Sequence, residues 1–232
     1  MLDPAKPLVV GSFGNPESLA AASIAAVQQA CDLVEIRLDL LDPRAVLTDS
    51  RPWAHLGDFP LLFTARRGDE GGAGNLGPEQ RRELLFACLR DACLVDIELA
   101  SSEVASALQG DLLDHGVPWI ASWHDFEGRE DSFARIPELA AAAAEAGAAC
   151  FKAAIRLHDV AGLARLVALQ EAGAAIPLAL MGMGPLAPAS RLLCAQHGSV
   201  LNYGYIGNAP TAPGQWSAAL LKETIRATTT LA

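Results

Sequence analysis

Lys152 lies within the apolar segment 149–155 (ACFKAAI), a setting in which a charged ammonium group is unexpected. Burial disfavours the charged form of an amine, and a neutral amine is a nucleophile that can attack a carbonyl carbon. The chain has only two other lysines, Lys6 and Lys222, and both lie in segments where contact with solvent would explain them. The sequence therefore predicts that Lys152 is a buried, unprotonated amine that can form an imine.

His124 ends another apolar segment, 118–124 (PWIASWH), which is the one before that of Lys152 along the chain. Consecutive strands of a sequentially wound sheet are neighbours, so we expect the imidazole to lie near the amine. An imidazole with an ordinary pKa of about 6.5 can move protons while the amine holds a carbonyl compound as an imine. A lone histidine at a strand end is also common as a hydrogen-bonding residue, and this alternative stays open.

More polar residues lie at or just beyond the ends of apolar segments. Glu35, Arg37 and Asp39 alternate, so their side chains are predicted to project from one side of a strand. Arg66 closes another segment ahead of a glycine-rich loop that contains Glu70, and guanidinium groups bind carboxylates in pairs. Each of these charges could instead be solvated or paired within the protein. Ser12, Arg191 and Gln215 complete the candidates, whereas Met181 and Met183 are interpreted as core residues.

Segments typical of strands alternate with alanine- and leucine-rich segments typical of helices along the whole chain. The predicted strands are 8–13, 33–39, 60–66, 93–99, 118–124, 149–155, 177–182 and 200–206. The predicted helices are 16–30, 78–90, 101–108, 137–146, 159–172, 188–197 and 215–228, with a weakly helical link after the second strand. Asn15 before Pro16 is predicted to cap the first helix.

Eight strand–helix pairs in about 250 residues are typical of a closed (β/α)8 TIM barrel, an α/β fold. We expect a single barrel domain over residues 1–232. An open doubly wound sheet is the alternative, but the first predicted strand is not followed by a GxGxxG turn. The active site of a barrel lies at the C-terminal ends of its strands, which is where the candidate side chains fall.

Composition restricts the partners of the protein. The net charge of −10 argues against binding to nucleic acid or to anionic membranes, since such binding depends on clustered lysine and arginine. The apolar stretches are too short to span a bilayer, the first residues do not resemble a signal peptide, and we expect a soluble, cytoplasmic protein. The five cysteines have no zinc-ligand spacing and are predicted to be buried, reduced thiols.

Seven short motifs, taken in order, resemble the type I 3-dehydroquinate dehydratase family. They are VEIRLD, FTARRGDEGG, SWHDF, FKAAI, MGMG, SR and APTAPGQ, and they span essentially the whole chain. The resemblance implies a TIM barrel, usually a homodimer, that removes water from 3-dehydroquinate to give 3-dehydroshikimate. This reaction belongs to the shikimate pathway of aromatic amino acid biosynthesis, and in this family it proceeds through a lysine imine without cofactor or metal.

The resemblance also assigns roles to individual residues. It implies that Lys152 forms the Schiff base, and that His124 first removes the C2 proton and then assists departure of the C1 hydroxyl. Glu70 is implied to hydrogen-bond to this histidine, and Arg191 to hold the substrate carboxylate. The remaining implied substrate contacts are Ser12, Glu35, Arg37, Arg66, Thr211 and Gln215.

Two other functions are compatible with a buried lysine on a barrel. A class I aldolase or transaldolase also forms a lysine imine and would release retro-aldol products from a sugar phosphate. A barrel that binds a ligand without catalysis is the second alternative, although such a protein would have little reason to keep both Lys152 and His124.

Overall fold

The computed structural model describes residues 2–48 and 50–229. These residues form eight parallel strands, each followed by at least one helix or helical turn. The strands are β1 (Leu8–Phe13), β2 (Leu33–Arg37), β3 (Leu61–Thr64), β4 (Leu94–Glu98), β5 (Trp119–Asp125), β6 (Cys150–Arg156), β7 (Leu178–Met183) and β8 (Leu201–Ile206). The helices are α1 (Pro16–Ala21), α2 (Ile24–Ala30), α3 (Pro43–Leu47), α4 (Pro78–Cys88), α5 (Ser102–His115), α6 (Ser132–Glu145), α7 (Val160–Ala172), α8 (Ala187–Gln196) and α9 (Ala218–Thr229).

The strands follow one another around a barrel that is nearly closed. Their order is β7-β6-β5-β4-β3-β2-β1-β8, and β1 pairs with β8 in parallel over six residues. The backbone N–H of Val200 donates to the carbonyl of Leu178 at 3.0 Å, which brings the two outer strands together. The predicted (β/α)8 barrel is therefore confirmed, and the open doubly wound sheet is excluded.

Side chains from the strands fill the lumen of the barrel in two successive layers, one apolar and the other mostly polar. Because every second residue faces the same way, residues two positions apart on a strand enter the lumen one above the other. The lower layer is apolar and contains Val10, Leu33, Leu62, Leu94, Ile120, Cys150, Ala179 and Leu201. Two residues further along the same strands come Ser12, Glu35, Thr64, Asp96, Ser122, Lys152, Met181 and Tyr203, all of them buried. The lumen thus changes from apolar to polar at the level of Lys152.

Two predicted elements end differently in the structure. The second strand stops at Arg37 rather than at Asp39, because residues Leu38–Leu40 turn into a 3-10 helix. The predicted helix 16–30 is two helices, since Ser23 caps α2 by accepting from the N–H of Ala26. The predicted cap of α1 is confirmed, because the side chain of Asn15 accepts from the N–H of Ser18 at 2.8 Å.

The third and fourth predicted helices were too short. Helix α5 continues to His115 and ends at Gly116, which has a positive φ of 64°. Helix α6 begins at Ser132, five residues before Pro137, so the proline lies inside the helix instead of starting it. Sequence signals for helix ends are weak where alanine and leucine continue on both sides of them.

Two predictions about burial were wrong. Lys222 is buried rather than solvated, because its Nζ pairs with Asp32 Oδ1 at 2.9 Å and donates to the carbonyl of Cys31 at 2.6 Å. Cys93 is exposed, whereas the other four cysteines are buried thiols as predicted.

Membrane-spanning helices and clusters of metal-binding side chains are absent from the part of the chain that the structure describes. No helix there is long and apolar enough to cross a bilayer. The same residues contain no group of three or more His, Cys, Asp or Glu side chains arranged to hold a metal ion.

Candidate active site

Lys152 projects from the middle of β6 into the lumen and is almost fully buried. Its Nζ lies 2.7 Å from Asp96 Oδ2 and 4.3 Å from the centre of the Tyr203 ring. A cation over an aromatic face is attracted by the ring, typically by about 0.5–2 kcal/mol. The carboxylate and the ring together fix the position of the amine.

Asp96 is the carboxylate that the sequence analysis missed. Although burial alone would raise its pKa, the Arg66 guanidinium and the Lys152 ammonium hold the pKa of Asp96 well below its usual range. Arg66 Nη1 lies 3.0 Å from both Asp96 Oδ1 and Glu98 Oε1 and donates to Ser122 Oγ at 2.7 Å. The resting amine is therefore part of a buried ion pair, and it must lose a proton before it can attack a carbonyl.

The signal for these two acids was present in the sequence. Asp96 and Glu98 alternate on β4 (LVDIE) as Glu35 and Arg37 alternate on β2 (LVEIR). Alternating charges on a strand buried on both faces need partners inside the barrel. The same reasoning that selected β2 could have selected β4.

His124 lies at the end of β5, and Glu70 holds it from the loop after β3. The Nδ1 of the imidazole is 2.9 Å from Glu70 Oε2, and the same oxygen accepts from the backbone N–H of His124 at 3.0 Å. Glu70 therefore fixes both the orientation of the ring and the nitrogen that faces it. The opposite nitrogen, Nε2, has no hydrogen-bond partner among the described residues and is available to a ligand.

A short turn places Glu70 beneath the imidazole. Residues Gly68–Glu70 form a 3-10 helix that ends at Gly71 with a φ of 86°. A side chain at Gly71 would be strained by this φ, and its Cβ would lie 2.6 Å from the ring of Phe126. The glycine-rich character of this loop thus has a local structural reason.

The electrostatic environment keeps His124 neutral. Burial and the positive charges of Arg66 and Lys152 lower the pKa of His124 well below its usual value. The prediction of an ordinary imidazole pKa was therefore wrong. Burial, reinforced by Glu98, raises the pKa of the Glu70 carboxyl to about 7. A neutral imidazole is the form that can accept a proton.

Arg191 is a buried cation without a carboxylate partner among the described residues. It lies on α8, beyond β7, and its Nη1 donates to the carbonyl of Gly182 at 3.0 Å. Its Nε is buried and makes no hydrogen bond to the described residues. Burial lowers the pKa of Arg191 to about 10, so the side chain is still charged near neutral pH. A buried, charged guanidinium without a carboxylate partner among the described residues is suited to bind an anionic ligand.

The charged residues of β2 are held within the protein. Glu35 is buried and accepts hydrogen bonds from Ser12 Oγ and, at 2.8 Å, from Thr64 Oγ1. Arg37 makes a two-pronged ion pair with Asp39, with N–O distances of 2.8 and 2.6 Å. The alternative of a self-paired strand face therefore holds for Arg37 and Asp39, although Arg37 also lines the site cavity.

The loop after β8 covers the site from above. Gln215 is buried, and its Oε1 accepts from both the N–H and the hydroxyl of Thr211 at 2.8 Å. The loop rests on the loop after β7, because Gly184 donates to the carbonyl of Pro213 at 3.1 Å. Contact is close enough that a Cβ at Gly214 would lie 2.0 Å from the Gly184 oxygen.

One cavity of about 120 Å³ collects most of the candidate residues. Nine of the ten predicted site residues line it: Glu35, Arg37, Arg66, Glu70, His124, Lys152, Arg191, Thr211 and Gln215. Ser12 does not line it and lies behind Glu35, to which it donates. Met181 and Met183 belong to the core, as interpreted from the sequence, but they also form part of the cavity wall. Tyr203, which the sequence analysis did not select, lines the cavity too.

A (β/α)8 barrel that brings a buried lysine and a neutral histidine into one cavity at its strand ends has the architecture of a lysine-dependent lyase. A model of the family described as Type I 3-dehydroquinase matches residues 13–231. The chain belongs to this family.

Named relatives and solved structures agree with this assignment. The 3-dehydroquinate dehydratase of Methanothrix thermoacetophila is 34% identical over 221 residues, which cover 95% of this chain and 91% of that protein. The protein of the same name from Enterococcus faecalis is 29% identical over 255 residues, or 95% of this chain and 97% of that protein. The crystal structure of 3-dehydroquinate dehydratase from Geobacillus kaustophilus has a TM-score of 0.86 at 26% identity, covering 97% of this chain and 92% of that chain.

Proposed function

We propose that the protein is a type I 3-dehydroquinate dehydratase, a hydro-lyase that converts 3-dehydroquinate into 3-dehydroshikimate and water. The observation that carries the proposal is the pairing of buried Lys152 with neutral His124 in one cavity of a barrel of this family. The substrate is a small cyclic ketone with a carboxylate and several hydroxyl groups. The cavity contains Arg191, which matches the carboxylate, and Lys152, which matches the ketone.

The carboxylate is bound by Arg191. Its guanidinium is buried, and Nε is left without a partner among the described residues. Charge-assisted hydrogen bonds to a carboxylate satisfy this donor and balance the buried charge. Binding at this end of the cavity directs the ketone toward Lys152.

Imine formation begins with transfer of a proton from the Lys152 ammonium to the neutral imidazole of His124. The free amine then attacks the ketone carbon at C3 to give a carbinolamine. His124 returns the proton to the carbinolamine hydroxyl, which leaves as water, so that an iminium ion remains and the imidazole is neutral again. Asp96, which lies 2.7 Å from Nζ before the reaction, remains beside the nitrogen and stabilises its positive charge.

Elimination uses the iminium as an electron sink. His124 Nε2 removes the C2 proton, and the electron pair of the broken C–H bond moves into the enamine. The enamine then expels the C1 hydroxyl, which takes the same proton from His124 and leaves as water. Hydrolysis of the remaining iminium releases 3-dehydroshikimate and restores Lys152.

The direct test combines turnover with chemical trapping. We expect purified protein to convert 3-dehydroquinate into a product with the ultraviolet absorbance of a conjugated enone. Addition of borohydride during turnover should reduce the iminium and leave a stable mass adduct on the peptide that contains Lys152. Turnover without an adduct would exclude the imine, whereas release of retro-aldol products from a sugar phosphate would favour an aldolase.

Replacing Arg191 should weaken substrate binding more than chemistry. In Arg191→Ala the carboxylate loses its charged partner, and a charge-assisted hydrogen bond is typically worth about 1.5–3 kcal/mol, or about 10- to 100-fold in affinity. We expect KM to rise by this factor while kcat changes less. Arg165→Ala, which removes an exposed ion pair with Glu130, is a matched control that should leave KM unchanged. An unchanged KM in Arg191→Ala would place the carboxylate elsewhere.

The contact between Glu70 and His124 predicts an acid limb in kcat/KM. When Glu70 takes up a proton, with its pKa of about 7, the carboxyl group becomes a donor toward Nδ1 of the imidazole. The ring proton then lies on Nε2, where a base is needed. The pKa of His124 itself is lower, so we expect kcat/KM to fall about tenfold per pH unit below about pH 7.

Glu70→Gln tests the origin of this limb. An amide oxygen still accepts from Nδ1–H but does not titrate, so the limb should move to lower pH in this variant. Asp69→Asn is the control, because the Asp69 side chain is 66% exposed and should leave the wild-type profile intact. A Gln variant that keeps a limb with the same midpoint would contradict the assignment to Glu70.

Two proposals concern the state of the protein in the cell. A homodimer is implied by the family resemblance and a cytoplasmic location by the sequence, and both remain predictions. Light scattering of the purified chain checks the first, since a dimer has twice the mass of 24.3 kDa that the sequence gives.

A further inference from the structure

The hydroxyl of Tyr203 is a buried polar group that the proposed reaction leaves unused. The residue lies on β8, is 4% exposed, and lines the same cavity as Lys152. Its oxygen makes no hydrogen bond to any residue that the structure describes. Buried polar atoms without a partner are few in folded proteins, and each one indicates either a cost in stability or a missing ligand.

The environment keeps this hydroxyl protonated. Burial, together with the negative charges of Asp96 and Glu35, raises the pKa of Tyr203 well above its usual value. The group therefore remains an O–H donor near neutral pH. Two of the three buried side-chain polar atoms that lack a partner within the described residues belong to Tyr203 and Arg191, two residues that line the cavity.

The aromatic ring sets where this donor can act. Lys152 Nζ lies 4.3 Å from the ring centre, so a carbon atom bound to Nζ must pass beside the ring. The hydroxyl is carried at the far edge of this ring, on a side chain that lines the cavity. A cyclic ligand with several hydroxyl groups brings oxygen atoms into this region.

We propose that Tyr203 is a further substrate-contacting residue, whose hydroxyl donates a hydrogen bond to an oxygen substituent of the ligand ring held at Lys152. This inference rests on the proposed function and adds to it a contact that selects for an oxygenated ring. A ligand that lacks the oxygen would leave the donor unpaired, so Tyr203 also discriminates against less oxygenated ketones.

Tyr203→Phe is the decisive variant, because it keeps the ring beside Lys152 and removes only the hydroxyl. We expect kcat/KM for 3-dehydroquinate to fall about tenfold, the effect of one hydrogen bond. The melting temperature without ligand should stay the same or rise, since no partner of the hydroxyl is lost. The increase in melting temperature that saturating product produces should become smaller than in the wild type.

Tyr205→Phe is the matched control. Tyr205 lies two residues further along β8 and does not line the cavity, so its loss should leave kcat/KM unchanged. Wild-type kinetics in Tyr203→Phe would overturn the inference, and so would a clear drop in melting temperature without ligand, which would reveal a structural partner. If the wild-type protein neither turns over 3-dehydroquinate nor gives a borohydride adduct, the proposed function fails first and the inference fails with it.

Discussion

Lys152→Ala should abolish the dehydration of 3-dehydroquinate. The variant has no amine with which to form the imine, so the C2 proton loses the electron sink that acidifies it. We expect kcat to fall at least about 10⁴-fold, the scale on which removal of a covalent nucleophile acts. Arg191 and the loop of Gln215 remain in place, so the variant should still bind substrate in a calorimetric titration.

Lys222→Ala is the control for this experiment. Lys222 is also buried and also paired with a carboxylate, that of Asp32, but it does not line the cavity. Its removal should lower the melting temperature, because it leaves a carboxylate and a carbonyl without their donor, and should not reduce kcat. A Lys152→Ala enzyme with substantial turnover would remove the imine from the mechanism.

Burial alone does not distinguish Lys152, the proposed catalytic lysine, from Lys222. Lys152 was selected from the sequence because its neighbours are apolar, whereas Lys222 was assigned to solvent because it lies in the last predicted helix. Both are buried in ion pairs. What separates them is the cavity that Lys152 lines together with the imidazole of His124, and this arrangement depends on the closed barrel.

The barrel fold was predictable because one pattern, an apolar strand segment followed by a helical segment, repeats along the chain. Eight apolar segments separated by helical ones allow few topologies, and parallel strands bring all their C-terminal ends to one face. Helix ends were less predictable. The break between α1 and α2 rests on a single serine cap, Ser23, within an alanine-rich stretch that would also support a continuous helix.

Most residues of the candidate site could be predicted from the sequence because they are charged and lie at strand ends. The side chains with which they pair could not be predicted. Asp96 and Lys152 are far apart in sequence and meet only because β4, β5 and β6 are adjacent in the barrel. A single sequence gives no distance between such residues. Lys152 was therefore predicted as an isolated buried amine, without the carboxylate that pairs with its ammonium group.

The lowered pKa of His124 also depends on residues that are distant in the sequence, so it could not be predicted either. Its decrease results from burial and from the positive charges of Arg66 and Lys152, which are contributed by two other strands or their ends. Tyr203 was missed for a different reason. An aromatic residue in a strand is usually part of the core, and only the unpaired hydroxyl in the folded protein separates it from an ordinary core residue.

His124→Ala should slow the reaction while leaving the imine able to form. The variant lacks the base that removes the C2 proton, and loss of a positioned general base costs typically about 10²- to 10⁴-fold. Carbinolamine formation and dehydration need proton transfers that water can also supply. We therefore expect kcat to fall within this range and the covalent intermediate to accumulate, so that borohydride traps a larger fraction of the enzyme than in the wild type.

Mass spectrometry of the quenched reaction measures both effects together. His158→Ala is a suitable control, because His158 contacts the carbonyl of Glu127 at 2.7 Å and does not line the cavity. That variant should keep wild-type kcat and a wild-type trapped fraction. If His124→Ala turns over at full speed, another group removes the proton. If instead it is slow and traps no intermediate, His124 acts before the imine forms, by removing the proton from the Lys152 ammonium that is paired with Asp96.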